Sequence, residues 1–114
     1  MRLVFLAISF LALGSATAMA KAKPIRFWNL TTQTVTSVQL AAPGTRAFGA
    51  DFCKADKDGS VDYDERLNMP SASPGHYDVK IGYANGRSCI VKNLGLEAGK
   101  VFSIEDKDLT DCTK

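Results

Sequence analysis

Five carboxylates fall within the ten residues Asp56-Lys57-Asp58-Gly59-Ser60-Val61-Asp62-Tyr63-Asp64-Glu65. Oxygen ligands at that density are what a hard cation such as calcium needs. An EF-hand loop places ligands at its positions 1, 3, 5, 9 and 12, with glycine at 6. With Gly59 at position 6, Asp56, Asp58, Asp62 and Glu65 fall at 3, 5, 9 and 12, but position 1 is Lys54. An ammonium there repels the cation, and the alternation from Val61 to Leu67 is that of a strand, so the loop is not an EF-hand. Two readings remain. In the favoured one Asp58-Gly59 is a turn with solvated acids around it. In the alternative, Asp56, Asp58 and Asp62 gather around one weakly held calcium. No other cofactor is expected.

Other chemistry finds little support in the residue types. His76 is the one imidazole, and Ser71, Ser73 and Ser88 occupy no G-x-S-x-G elbow. His76 follows Pro74-Gly75 and reads as an exposed residue at the start of a strand. A carboxylate pair from the 56–65 cluster could in principle act as acid and base in a small hydrolase. Exposed clustered acids rarely carry the displaced pKa this requires. Trp28 reads as core rather than as a ligand-stacking platform. The expectation is therefore a non-enzymatic chain with no catalytic residue.

The first twenty residues set the compartment. Arg2 precedes the apolar run Leu3 to Gly14, and Ala18-Met19-Ala20 is an A-x-A cleavage pattern. This is the form of a secretory signal peptide, too short to span a bilayer. Residues 1–20 are read as the leader and 21–114 as one mature domain, exported to the periplasm or the medium, with no transmembrane segment. The chain holds 14 basic and 12 acidic side chains, a net +2 that drops to +1 once the leader takes Arg2 away. A balance so near neutral gives no electrostatic reason to expect nucleic acid.

Export makes the three cysteines candidates for a bridge. Three allow one disulfide and one thiol. Cys89, in Ser88-Cys89-Ile90-Val91, reads as a buried small hydrophobe. Cys53 and Cys112 have polar, loop-like neighbours, so Cys53–Cys112 is the expected pair. A metal site is poorly supported, since no C-x-x-C occurs.

The elements that must carry these residues are strands. Ile25 to Leu30 is apolar on both faces, and Thr34 to Leu40 is rich in β-branched residues. Ser60 to Leu67 puts Val61, Tyr63 and Leu67 on one face, and Tyr77 to Tyr83 alternates cleanly. Asn85-Gly86 predicts a type I′ hairpin turn into Arg87 to Leu94, and Val101 to Glu105 follows the turn at Glu97 to Lys100. The segment from Ala41 to Lys57 is the long irregular connection. The fold class expected is all-β: a small antiparallel β-sandwich of six to seven strands.

Two resemblances extend this reading. The Asp58-Gly59 turn, a strand, and then Pro74-Gly75-His76-Tyr77-Asp78-Val79 resemble prealbumin-like sandwich modules of the Cna-B-like or carboxypeptidase-regulatory-like kind, which are mostly structural or adhesive. Asn29-Leu30-Thr31, Ala42-Pro43-Gly44, Phe48-Gly49-Ala50-Asp51, Tyr77-Asp78-Val79-Lys80 and Asp111-Cys112 are similar to a family of small exported bacterial proteins without an established activity. Phe48 stands where that family usually has tryptophan. Some of its members carry an argininosuccinate lyase label, which a strand-rich chain of this length cannot honour, because those lyases are long and helical. The resemblances imply an exported binding or accessory domain whose partner is an unidentified protein or envelope component. A calcium-dependent structural or adhesive module is the alternative.

Overall fold

The computed structural model describes residues 23–114. The leader read over residues 1–20 and the mature start at Lys21 lie outside the described residues. Seven strands follow one another: β1 Ile25–Leu30, β2 Val35–Ala41, β3 Arg66–Met69, β4 Gly75–Tyr83, β5 Ser88–Leu96, β6 Val101–Glu105 and β7 Thr110–Thr113. Among the described residues the only helical turns are 3-10, at Phe52–Ala55 and Asp106–Asp108. The strands form two sheets, ordered β3-β1-β6 and β2-β4-β5-β7. The chain is a small β-sandwich, as its alternation predicts.

Alternation fixes which side chains fill the space between the sheets. Phe27 of β1, Val38 of β2, Leu67 and Met69 of β3, Val79 and Ile81 of β4, and Ile104 of β6 are all sealed from solvent. Phe27 and Phe102 pack with ring centroids 5.5 Å apart. Burying a Leu, Ile or Phe side chain stabilises by about 1.5–3 kcal/mol, so this layer is the main force holding the sheets together.

Four features depart from the sequence expectations. First, β1 runs antiparallel to β3 but parallel to β6, pairing Phe27 with Phe102, so the sandwich is not antiparallel throughout. Second, Trp28 lies on the outer face of β1 and not in the core. The inward positions of β1 are Ile25, Phe27 and Asn29, and strict period-2 geometry turns Trp28 outward. There the Arg66 guanidinium stacks 4.1 Å from its ring, and its indole N–H donates to Asp64 Oδ1 at 3.0 Å. Arg66 thus occupies one face of the ring.

Third, the strand expected from Ser60 to Leu67 is broken. Val61 makes a lone bridge to Val35, Asp64 turns the chain with φ 70°, and Tyr63 is left 61% exposed. Only Arg66–Met69 pairs as β3. Fourth, the β4–β5 hairpin is not a type I′ turn, since Gly86 takes a positive φ and Asn85 does not. Gly86 N–H donates to Tyr83 O, and Tyr83 N–H donates to Arg87 O, which closes a three-residue loop with glycine in the left-handed position.

Candidate functional site

The expected Cys53–Cys112 bridge is corrected by the structure, which joins Cys89 to Cys112. The physical reason is β7. Thr110–Thr113 is a strand and not a loop, and it pairs antiparallel with β5 in the register Ser88↔Thr113. That register sets Cys112 directly across from Cys89, with Cα atoms 4.0 Å apart. The β-branched Thr110 and Thr113 flanking Cys112 were the signal for a strand there.

Cys53 instead sits buried in the 3-10 turn after the long loop, packed into the core. Burial, reinforced by the nearby charges of Asp51 and Asp56, pushes its thiol up to about 12. At pH 8 only about one molecule in ten thousand then carries the reactive thiolate. Native protein treated with iodoacetamide at pH 8 should label Cys53 on the order of 10³-fold more slowly than unfolded protein. Mass spectrometry of tryptic peptides reads this directly, and rapid native labelling would overturn the burial.

The acids of the 56–65 segment are not brought together. Asp56 accepts from the Asp58 amide at 3.2 Å, and Gly59 N–H donates to Asp56 O, which makes a local turn. Asp62 points elsewhere, accepting from the Thr34 hydroxyl at 2.8 Å while its own amide donates to Glu65 Oε1 at 2.7 Å. Among the described residues no group of three or more His, Cys, Asp or Glu side chains converges as a metal-binding set. His76 stands exposed on β4 opposite Gly95.

Two acids that composition did not single out organise the surface. Asp51 Oδ1 accepts from the amides of Val38 and Cys53, both at 2.9 Å, and so clips the end of the long loop to β2. Asp78 accepts from the Gly44 amide at 2.8 Å and the Asn93 amide at 2.9 Å. Asn93 belongs to a bulge in β5 opposite Asp78, where the register shifts between Tyr77 and Val79. Neighbours cover Asp78 to 7% exposure, yet it lines a groove open to solvent. The two amide hydrogen bonds therefore outweigh desolvation and, with Lys92 and Arg46 helping, hold its carboxyl below the usual range.

Above Asp78, on the outer face of the four-stranded sheet, the loop through Gly44 to Phe48 faces β7 across a groove. Its two halves have volumes of about 240 and 300 Å³. Lys80, Ile90 and Lys92 rise from the floor, Arg46 and Phe48 form one wall, and Asp111 and Thr113 form the other. Asp111 Oδ2 lies 3.0 Å from Lys92 Nζ and 3.7 Å from Arg46 Nη2, so it spans the groove where both halves meet. Lys80 Nζ sits 5.5 Å from the centre of the Phe48 ring. Backbone in the left-handed region collects here: Arg46 (φ 56°), Asn93 (φ 51°) and Asp111 (φ 44°) are three of the five non-glycine residues with positive φ among the described residues. Asn93 and Asp111 enter this region readily, whereas Arg46 is held there at a cost of order 1 kcal/mol, the kind of strain found at ligand clamps.

Among the described residues one buried side-chain group lacks a partner. Tyr83 Oη has no hydrogen bond, and the neighbouring Thr31 hydroxyl donates to Asn29 Oδ1 at 2.6 Å. Burial pushes the Tyr83 phenol up, and the nearby Thr31 hydroxyl only partly offsets this. In comparisons with known proteins, no family model, no curated protein and no solved structure matches this chain. Among the described residues, no helix is long and apolar enough to cross a membrane.

Proposed function

We propose that the mature chain is an exported, non-enzymatic domain that binds a component of the cell envelope through the groove between the Gly44–Phe48 loop and β7. The observation that carries this reading is the groove itself: charged side chains of both signs and an aromatic ring set on a hydrogen-bonded sheet, with left-handed backbone on both walls. A site on a rigid element loses little conformational freedom on binding, which favours recognition.

The displaced titrations argue in the same direction. A nucleophile or general base needs a pKa near the working pH. Here the Cys53 thiol and the Tyr83 phenol move up, and Asp78 moves down, each away from neutrality. The signal-peptide pattern supports export, as does the Cys89–Cys112 bridge, which persists in oxidising compartments. The resemblance to small exported bacterial proteins supports the same location.

The test uses the full chain in the cell that makes it. Fractionation should place the protein outside the cytoplasm, starting at Lys21 with Cys89–Cys112 oxidised. A photo-crosslinker at Phe48 should capture one envelope component that a crosslinker at the exposed Tyr63 does not. Retention of the chain in the cytoplasm, or equal capture from both positions, would refute the reading.

A further inference from the structure

Asp111 holds two cations with a single oxygen. Its Oδ2 meets Lys92 Nζ at 3.0 Å and Arg46 Nη2 at 3.7 Å, with the Arg46 and Lys92 side chains 72% and 59% exposed. A guanidinium has five N–H donors and pairs best with a carboxylate through two parallel bonds. One long contact leaves most of that capacity unused. Lys80 has no carboxylate within ion-pair distance among the described residues, and its ammonium rests near Phe48. The other acid at the groove, Asp78, is already satisfied by two amides. Three cations therefore line the groove against two carboxylates: Asp111 pairs with Arg46 and Lys92, Asp78 is taken up by amides, and Lys80 pairs with neither, beside the apolar surface of Phe48 and Ile90.

We propose that the groove is an oxyanion site in which Asp111 stands in for the ligand: a carboxylate or phosphate displaces it from Arg46 and Lys92, and the ligand's apolar body lies against Phe48 and Ile90. The inference rests on the groove being the binding surface. The Asp111 carboxylate marks where the ligand's oxygens go, and Lys80 supplies the third cation. A ligand with two charged oxygens engages Arg46 bidentately, which Oδ2 alone does not. Because the contacts are exposed, affinity falls as salt rises.

The probes are benzoate, acetate and inorganic phosphate, titrated at low ionic strength into the folded protein and followed by amide chemical shifts. Benzoate and phosphate should shift the amides of Arg46, Ile90 and Asp111, and benzoate should bind more tightly than acetate because of its ring. Asp111→Asn should tighten binding by about two- to fivefold, the range an exposed ion pair supports. Asparagine tolerates the left-handed backbone at this position, so the strand should keep its shape. Arg46→Gln should weaken binding roughly tenfold, the scale of a charge-assisted hydrogen bond. Equal or weaker binding by Asp111→Asn, equal binding of acetate and benzoate, or shifts centred elsewhere would each overturn the assignment. If the Phe48 crosslinker captures a partner while no anion binds, the binding domain stands and the oxyanion site falls.

Discussion

Cys112→Ser should lower the unfolding free energy by about 3 kcal/mol on the chain-entropy account of disulfides. The two cysteines are 23 residues apart, so the bridge removes the freedom of a loop of that length from the unfolded chain. For a domain of this size the thermal midpoint should fall by roughly 12–24 °C. The loss should appear first in β7. All four of its residues are exposed, and apart from the bridge it is held by its backbone pairing with β5, by Thr110 Oγ1 donating to Ile90 O at 2.6 Å, by the Ser88–Thr113 hydroxyl contact, and by the exposed ion pairs of Asp111 with Lys92 and Arg46. Hydrogen exchange at Thr110 to Thr113 should therefore accelerate more than exchange at β4. Asp111 loses its position across the groove in the same step. An unchanged midpoint, or non-reduced peptides joining Cys53 to Cys112, would refute this account.

What the sequence conveyed depended on whether a pattern was local. Period-2 alternation in Tyr77 to Tyr83 needs no partner to be read, and that segment is strand as expected. The 60–67 segment has the same alternation, but Asp64 enters the left-handed region and Tyr63 swings out to solvent. Carboxylate side chains with nearby backbone donors commonly favour such turns over strands. The polar neighbours of Cys112 give it the look of a loop residue. On an exposed edge strand polar neighbours are normal, and only the register with β5 reveals the opposing Cys89. The groove was illegible for the same reason: Arg46, Lys80, Lys92 and Asp111 are scattered along the chain. They meet because β4, β5 and β7 pair side by side and Asp78 ties the Gly44 turn to the same sheet face. The acids that sequence density singled out, Asp56, Asp58 and Asp62, serve a turn and a hydroxyl contact instead.

Asn29→Asp should be the more damaging substitution, and its effect should depend on pH. Asn29 is fully buried in β1 and stitches the two sheets at their edge. Its Nδ2 donates to Gln33 O at 3.0 Å and Val61 O at 2.8 Å, while its Oδ1 accepts from the Thr31 amide at 2.9 Å and the Thr31 hydroxyl at 2.6 Å. Val61 and Val35 bridge the segment before β3 to β2, so this amide braces the contact between layers. A carboxylate puts an oxygen where the two donors were, facing two carbonyl oxygens at a fully buried position. The buried, unpaired charge should cost about 3–5 kcal/mol at neutral pH. When protonated, the same group can donate to one of the two carbonyls and recover part of the loss. The introduced carboxyl therefore titrates well above its unfolded value of about 3.9 in the folded protein. Between those two pKa values the folded state holds a proton that the unfolded state has released. Stability then falls as pH rises, by up to about 1.4 kcal/mol per pH unit, and is best preserved below about pH 4. Asn29→Ala removes the same bonds without a charge. It should cost about 1–3 kcal/mol, with no pH dependence of its own. Urea unfolding of wild type and both variants from pH 4 to pH 7 separates the two effects, with the wild-type curve subtracted at each pH. A gap for Asn29→Asp that stays constant across that range would mean that the Nδ2 donors do not face Gln33 and Val61, and the brace between the sheets would have to be sought elsewhere.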